Sequence, residues 1–364
     1  MAKGQSLKSE FWGWGPTFEV NSDANTKGQV TMTVIIPARN EEHNISQCLE
    51  SVLNQTYPKE LFEIIVADDF STDATVAIVS GFTAENVILI SLSDHVEPVG
   101  LSAYKKKAIE IALSKAKGEL IVTHDADCIA GPQWLETIAL TYSSFRPAFM
   151  AAPVAYTNEN TFLSIFQSLD FMTLQGITGA AIFKKFHYMC NGANMAYEKK
   201  AFDEVHGFEG VDHIASGDDM LLMHKIAVRY PERISFIASK KAIVRTAPMK
   251  DIRTFLNQRI RWASKTSSYK DPRIILVLSL VYLFNVWFVI AGICAFFYPI
   301  MLAYILFILF AKTVIELFFL YPVAGFFDKK LLLWWFPLAQ PFHIIYTIVA
   351  GWLGTFGKYE WKGR

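Results

Sequence analysis

Apolar runs of strand length alternate with amphipathic segments of helical spacing in the first part of the chain. The apolar runs cover residues 31–37, 62–68, 87–92 and 119–124. Between them, apolar residues recur every three or four positions, as in Ile45, Leu49 and Val52, or Ile109 and Leu113, which predicts helices with one buried face. This alternation predicts βαβ units, and therefore a doubly wound α/β fold with a mainly parallel sheet and right-handed crossovers.

The pattern is less regular from residue 148 to residue 270. It predicts a strand over 148–156, a long helix over 161–183, a helix capped by residues 216–219, and a strand pair around 234–244. A basic amphipathic helix is predicted over 249–268, as expected for a helix at a membrane surface. Its apolar face is formed by Ile252, Phe255, Leu256 and Ile260, and its polar face by Arg253, Arg259, Arg261 and Lys265.

The last third of the chain is apolar enough to enter a membrane. Residues 274–297 and 300–321 are each long enough to span a bilayer. The second contains Lys312 and Glu316, which lie one helical turn apart and can neutralise each other. A third stretch, 331–356, contains Pro337 and Pro341. We expect these prolines to split it into a re-entrant or in-plane segment, with the basic tail 361–364 on the cytoplasmic side, like the Arg- and Lys-rich residues 245–273.

Composition narrows the class of protein. The 364 residues carry 34 basic and 34 acidic side chains, a formal net charge of +0, so the charge balance argues against a nucleic-acid partner. The four cysteines show neither CxxC pairs nor zinc spacing, which indicates reduced thiols in a protein facing the cytosol. Residues 1–28 are polar, so we expect no signal peptide and an anchor formed only by the C-terminal part.

Carboxylates follow two of the predicted strands. Asp125 and Asp127 come directly after the strand over 119–124, and Asp68 ends the strand over 62–68. Ligands of open α/β sheets bind at this carboxyl edge. Two carboxylates side by side repel each other unless a cation lies between them, and oxygen ligands suit Mg²⁺ or Mn²⁺. Alone, an Asp-x-Asp sequence is equally consistent with a polar turn.

Five short motifs give the chain a family resemblance. They are Val34-Ile-Ile-Pro-Ala-Arg-Asn-Glu-Glu, Val66-Ala-Asp-Asp-Phe-Ser-Thr-Asp, Asp125-Ala-Asp127, Gly217-Asp-Asp219 and Gln258-Arg-Ile-Arg-Trp262. In this order, over about residues 30–265, they resemble the family 2 glycosyltransferases: inverting enzymes with a GT-A fold, here followed by a membrane anchor. The tail Trp361-Lys-Gly-Arg364 resembles a terminus of members that glycosylate lipids.

The resemblance implies a role for each matching residue. Pro37, Ala38, Asn40 and Glu41 would hold the nucleotide, with Asp68 on its base, and Asp125 and Asp127 would hold the ribose and a metal ion, Mg²⁺ or Mn²⁺. Asp219 would be the general base beside Asp218, and Gln258, Arg261 and Trp262 would close over diphosphate and acceptor. Lys106 would approach the sugar or the phosphates, although the triplet 105–107 leaves the register open.

The implied protein is a hexosyltransferase of the inner or cytoplasmic membrane. It would move a sugar from a nucleotide sugar, with UDP expected, to a lipid-linked or membrane-surface acceptor. Its parts would be a tail (1–28), a GT-A domain (29–248), an interfacial helix (249–270) and a transmembrane region (271–364). A catalytically silent nucleotide-sugar receptor and a membrane-bound glycoside hydrolase remain alternatives. For Asp218 and Asp219 the plainer interpretation is a helix N-cap, for 191–194 a turn, and for His124 a packed histidine.

Overall fold

The structure is a computed structural model that describes residues 7–11, 15–18, 29–82, 86–97, 103–269 and 271–357. The chain forms two compact units. The first consists of Met1–Ala155 with Thr178–Ala247, and the second of Tyr156–Ile177 with Pro248–Arg364. The long helix that starts near residue 160 therefore contributes most of its length to the second unit.

Within the described ranges, twelve strands form three sheets. The strands are β1 (Leu7–Phe11), β2 (Gly15–Phe18), β3 (Met32–Ala38), β4 (Phe62–Asp68), β5 (Val87–Ser91), β6 (Leu120–Thr123), β7 (Cys128–Ala130), β8 (Phe149–Ala151), β9 (Val154–Tyr156), β10 (Met195–Glu198), β11 (Ile234–Phe236) and β12 (Val244–Thr246). The main sheet has the order β11-β8-β10-β6-β3-β4-β5, and small sheets join β7-β12-β9 and β1-β2.

In the part of the chain that the structure describes, eleven α-helices connect or follow these strands. They are α1 (Ile45–Leu53), α2 (Thr75–Ser80), α3 (Tyr104–Lys115), α4 (Trp134–Phe145), α5 (Phe162–Phe183), α6 (Lys199–Glu204), α7 (Met220–Arg229), α8 (Ile252–Ala263), α9 (Pro272–Ala295), α10 (Ile300–Phe326) and α11 (Phe336–Phe356). Short 3-10 helices include Ser264–Ser268 after α8 and Lys330–Trp335 before α11.

The parallel sheet predicted from the sequence is present. Strands β6, β3, β4 and β5 pair in parallel, and β10 runs antiparallel to both of its neighbours. Ile35, Ile65 and Ile121 lie in one buried apolar cluster with the inner face of α3. The carboxyl ends of β3, β4 and β6 consequently meet at one edge, which is where a doubly wound sheet binds ligands.

Two local predictions are wrong. Residues 148–156 form two strands, β8 and β9, in different sheets. The expected pair around 234–244 is not found among the described residues, because β11 pairs with β8 while β12 pairs with β7. The N-terminal part, expected as a tail over 1–28, includes the β1-β2 hairpin. Each difference concerns which strands meet, and local alternation of apolar and polar residues does not specify that.

Among the described residues of the second unit, three helical segments are long and apolar enough to cross a membrane: Pro272–Ala295, Ile300–Phe326 and Lys330–Phe356. Their mean hydropathies are 2.6, 2.2 and 1.3. The prediction that prolines split the third segment is wrong. Pro337 lies in the first turn of α11, where a missing N–H costs nothing, and α11 continues through Pro341. The predicted pairing of Lys312 with Glu316 is confirmed by a 2.7 Å contact between Nζ and Oε2.

Candidate active site

The loops that follow β3 and β4 are bound to each other side by side. Arg39 Nη1 donates to the carbonyl of Asp69 at 2.7 Å, and the Asn40 N–H donates to Ser71 Oγ at 3.0 Å. The N–H of Thr72 in turn donates to Asn40 Oδ1 at 2.8 Å. Asn40 has a φ of 50°, a conformation that asparagine tolerates better than most residues. This pairing fixes the shape of the sheet edge.

The residues predicted to hold the nucleotide lie on this edge. Pro37 and Ala38 end β3, and Ala38 pairs with Asp68 of β4. Asp68 is buried, and both of its oxygens lie 3.3 Å from the N–H of Ser71. Glu41 is nearly buried, and its N–H donates to Thr75 Oγ1 at 2.8 Å. The structure therefore brings these residues to one edge of the sheet.

Asp125 and Asp127 follow β6 at the same edge. Asp125 is partly exposed and Asp127 is exposed. Burial, with the negative charge of Asp127 and Asp125, raises the pKa of the thiols of Cys48 and Cys128. The described residues include no cluster of three or more His, Cys, Asp or Glu side chains arranged for a metal ion. The two carboxylates nevertheless suit Mg²⁺ or Mn²⁺, because such ions take their remaining ligands from water and substrate phosphates.

Lys105 joins the end of β6 to the start of α7. Its Nζ lies 2.9 Å from Asp125 Oδ1 and 3.1 Å from Asp218 Oδ2. Burial alone lowers the pKa of Lys105, but the carboxylates of Asp125, Asp218 and Asp219 outweigh it and raise that pKa above its ordinary value. Lys105 is therefore a permanent cation among three carboxylates, and it draws two sequence motifs that are about ninety residues apart into one site.

Asp219 caps helix α7 and contacts a glycine turn. Its Oδ1 accepts from the N–H of Met220 at 2.7 Å, and its Oδ2 accepts from the N–H of Gly192 at 3.2 Å. A Cβ at Gly192 would lie 3.3 Å from Asp218 Oδ2, so a larger residue would crowd the carboxylates. Gly217 has a φ of +82°, which favours glycine just before the two aspartates.

The turn over 191–194 contacts Asp219 and is itself fixed by the side chain of Asn194. Asn194 is buried, its Nδ2 donates to the carbonyls of Pro153 and Ala242, and its Oδ1 accepts from Trp134 Nε1 at 2.9 Å. His124 packs on Trp134 with ring centroids 4.9 Å apart, and burial lowers its pKa to about 4. A buried, neutral histidine agrees with a packing role.

The lysine triplet shows what the sequence reasoning missed. Lys106, predicted to approach the donor, is buried, and its Nζ donates to the carbonyls of Val211 and Ile214 at 2.7 and 2.8 Å. Lys105 instead lies among the carboxylates. The position of Lys106 on its helix could have indicated its burial, because Lys106 precedes the buried Ile109 by three positions and lies on the same face.

Replacing Lys105 by Met is expected to lower the free energy of unfolding by about 1–3 kcal/mol, because it removes charged hydrogen bonds from a partly buried site. Thermal unfolding in detergent should show a Tm lower by several degrees. Addition of Mn²⁺ should raise the Tm of this variant more than that of the wild type, since a cation again separates the carboxylates.

Lys107→Met is the matched control, because Lys107 is more exposed and contacts only Glu110 among the ion pairs of the described residues, at 3.4 Å. Its Tm should stay close to the wild-type value. Equal Tm values for the two variants would contradict a bridging role for Lys105.

The fifth motif lies in the second unit and surrounds a buried ion pair. Arg259 Nη2 is 2.8 Å from Asp170 Oδ2 of α5, and both side chains are about 95% buried. The Arg259 guanidinium lies 4.2 Å from the ring centroid of Trp262, and its Nη1 lies 3.5 Å from Gln258 Oε1. Arg261 is partly buried in the last turn of α8.

The assignment of α8 faces from the sequence needs correction. Arg259 and Lys265, expected on the polar face, are buried, whereas Ile252 is exposed. The burial of Arg259 follows from Asp170, the one charged residue within α5. An isolated acid in a long apolar helix indicates a buried partner, and this signal was available in the sequence.

Two family models match the chain. The model of "Glycosyl transferase family 2" matches residues 33–205, and that of "Glycosyl transferase family group 2" matches residues 120–353, more than half of the chain. The chain belongs to the family 2 glycosyltransferases. All the carboxylates described above fall within these matches.

Individual relatives cover smaller parts of this chain. Glycosyltransferase AglE of Haloferax volcanii is 35% identical over 130 residues, which are 35% of this chain and 41% of AglE. A dolichyl N-acetyl-alpha-D-glucosaminyl phosphate 3-beta-D-2,3-diacetamido-2,3-dideoxy-beta-D-glucuronosyltransferase of Methanococcus voltae is 48% identical over 48 residues, 13% of this chain and 15% of that protein. The chain thus spans less than half of the length of either relative.

A solved structure shares the fold. The mannosyltransferase PcManGT of Pyrobaculum calidifontis, solved with GDP-Man and Mn²⁺, aligns with a TM-score of 0.53 at 18% identity, covering 89% of this chain and 87% of that one. This similarity supports the doubly wound glycosyltransferase fold that the strand order shows.

Proposed function

We propose that the chain transfers a sugar from a nucleoside-diphosphate sugar, with UDP as the expected nucleotide, to a hydroxyl group of a lipid-linked or membrane-surface acceptor, inverting the anomeric carbon. The observation that carries this proposal is the convergence of Asp125, Asp218 and Asp219 around Lys105 at the carboxyl edge of the parallel sheet. The chain belongs to a glycosyltransferase family, and this cluster supports the roles proposed below for its residues.

The β3 and β4 loops are the proposed nucleotide subsite. The buried carboxylate of Asp68 can accept hydrogen bonds from N–H groups of the nucleotide base. The backbone N–H groups of Asn40 and Glu41 donate to side chains that follow β4, and these hydrogen bonds keep the rim of the subsite rigid. A rigid rim binds its ligand with less loss of conformational entropy than a mobile one. Pro37 and Ala38 would form the floor on which the nucleoside rests.

Asp219 is the proposed general base. The acceptor oxygen attacks C1 of the sugar, its proton passes to the carboxylate of Asp219, and the bond from C1 to the diphosphate oxygen breaks with its electrons leaving on the diphosphate. Asp218 is a poorer candidate because Lys105 already binds its Oδ2. Asp219 accepts hydrogen bonds from the backbone N–H groups of Met220 and Gly192, and these two bonds hold its carboxylate in place.

Asp125 and Asp127 are the proposed ligands of Mg²⁺ or Mn²⁺. Such an ion, when bound, supplies positive charge to the leaving diphosphate. The residues' own contribution is to present carboxylate oxygens at the sheet edge, one on a partly exposed side chain and one on an exposed side chain. For Gln258, Arg261 and Trp262 we keep the role that the family resemblance implies, contact with diphosphate and acceptor.

A membrane location supports the proposed acceptor. At least α9 and α10 have the length and the apolarity of spanning helices. The region before α9 is rich in Arg and Lys, which supports a cytoplasmic side for it under the positive-inside rule. The name of the Methanococcus voltae relative gives a dolichyl-phosphate-linked sugar as its substrate. The proposed domains are those expected from the sequence, including the catalytic region 29–248 and the interfacial segment 249–270.

Release of UDP from a panel of UDP-sugars tests the proposal. Membranes that contain the chain should release UDP in the presence of Mn²⁺ and a lipid extract, and release should fall when the lipid extract is omitted. Binding of UDP-sugars with no release under any condition would indicate a silent receptor. Hydrolysis of glycosides without any nucleotide sugar would indicate a glycoside hydrolase.

A further inference from the structure

Helix α11 runs alongside α8 and in the same direction. Near the start of the contact, the rings of Phe255 and Tyr346 lie 5.4 Å apart. Eight residues later in both helices, a Cβ at Gly354 would lie 2.5 Å from the Cβ of Ala263. Equal spacing along both helices requires nearly parallel axes, and the small Gly354 permits the close approach.

Helix α11 also contacts both helices of the hairpin formed by α9 and α10, and the two contacted residues are equally far from one end of that hairpin. Near its start, Gln340 Nε2 donates to Glu316 Oε2 at 2.6 Å. Farther on, a Cβ at Gly351 would lie 2.7 Å from the ring of Tyr282. Glu316 lies ten residues before the end of α10, and Tyr282 ten residues after the start of α9. Measured along the helix axes, the backbones of Glu316 and Tyr282 are therefore both about 15 Å from the end of the hairpin near α8, and their side chains extend from there to α11.

A helix parallel to the hairpin could not make both contacts. The eleven residues from Gln340 to Gly351 extend about 16 Å, so the two depths would differ by that length in a third crossing. They are instead equal, which means that α11 lies across the hairpin. Its neighbour α8 carries Arg253, Gln258 and Arg261, and these residues make α8 unsuited to the interior of a bilayer.

The two sides of α11 differ in a way that fits this placement. One face exposes only large apolar side chains, at positions 338, 342, 345, 352 and 356. The inner face carries polar groups, including Tyr346, whose hydroxyl donates to Asp170 Oδ1 at 2.5 Å. Asp170 also binds Arg259 of α8, so a buried polar junction fastens α11 to the helix that contains Gln258 and Trp262.

We propose that α11 lies in the plane of the membrane, in the leaflet on the side of α8, with its apolar face in contact with lipid. The chain then crosses the bilayer twice, through α9 and α10, and α11 ends on the side of α8. The function of α11 is to hold α8, and with it the Gln258–Trp262 motif, at the membrane surface. This last step rests on the proposed function, whereas the membrane topology does not.

Cysteine labelling in intact cells tests the number of crossings. Cys190 and Cys294, the two native cysteines that are partly exposed, are first replaced. Three variants then carry a single new accessible cysteine: Lys115→Cys in the catalytic region, Tyr298→Cys between α9 and α10, and one cysteine added after Arg364. An impermeant maleimide should label Tyr298→Cys alone, and the other two should label together after permeabilisation. Labelling of the added cysteine together with Tyr298→Cys would overturn the proposal.

Depth measurement separates an in-plane helix from a tilted one. Spin labels at Ile345→Cys and Trp352→Cys lie on the same exposed face of α11, two helical turns apart. In lipid vesicles, the accessibility of each spin label to oxygen and to a water-soluble nickel complex gives its depth in the bilayer. The two depths should be equal for an in-plane helix. A spanning α11 would give depths that differ by about 10 Å. Neither experiment needs an active enzyme, so failure here is distinguishable from failure of the proposed transfer reaction.

Discussion

Asp219→Asn is expected to lower the rate of sugar transfer by about two to four powers of ten. The amide cannot take the proton of the acceptor hydroxyl, yet asparagine is as good an N-cap as aspartate. Its Oδ1 can still accept from the N–H of Met220, the closer of the two backbone contacts of Asp219. The variant should therefore fold, bind the donor with nearly unchanged affinity, and turn over slowly.

Asp218→Asn is the matched comparison. It loses part of the ion pair with Lys105 but leaves the proposed base intact, so its turnover should fall far less than that of Asp219→Asn. Turnover at saturating donor and acceptor, together with the dissociation constant of the nucleotide sugar, distinguishes the two variants. A nearly inactive Asp218→Asn with an active Asp219→Asn would assign the base to Asp218.

The parallel half of the sheet was predictable because its signals are local. Each of β3, β4 and β6 is a short apolar run followed by a polar loop and a helix, and right-handed βαβ connections leave few alternatives for such a pattern. The same rule predicts that Asp68 and Asp125 lie at one edge of the sheet, and it needs no information on contacts between distant residues. The family motifs added roles to residues that the topology had already brought to this edge.

The irregular half depends on pairing between distant segments. Strand β10 enters the main sheet antiparallel between β6 and β8, although about seventy residues separate it from β6. No short-range pattern specifies this neighbour, because a strand's alternation indicates its buried face and not its partner. For the same reason, the sequence did not show that the turn over 191–194 lies beside Asp219.

Charged residues in buried positions were the hardest to place. Lys106 and Arg259 were assigned to a ligand site and a polar surface, and both are buried with specific oxygen partners. A simple division into apolar and polar faces fails at such residues, since long cationic side chains can be buried when their charge is paired. Their periodicity with Ile109 and Phe255 was the better guide.

Asp127→Ala is expected to abolish turnover while the fold is retained. Asp127 is an exposed residue after the end of β6, so its removal leaves no cavity in the core. Loss of a metal ligand removes several kcal/mol of transition-state stabilisation, and this corresponds to about a thousandfold or more in rate. The rate as a function of Mn²⁺ concentration, with and without EDTA, measures the effect.

The best control for Asp127→Ala is another exposed carboxylate beyond a strand end. Asp94 lies just after β5, at the same edge of the sheet, and is exposed, so Asp94→Ala should retain wild-type turnover and the wild-type response to Mn²⁺. In the wild type, Mn²⁺ together with UDP should raise Tm, because a ligand that binds the folded state stabilises it. Asp127→Ala should lose most of that increase. An Asp127→Ala variant that turns over normally in EDTA would show that these two carboxylates serve the nucleotide without a metal ion.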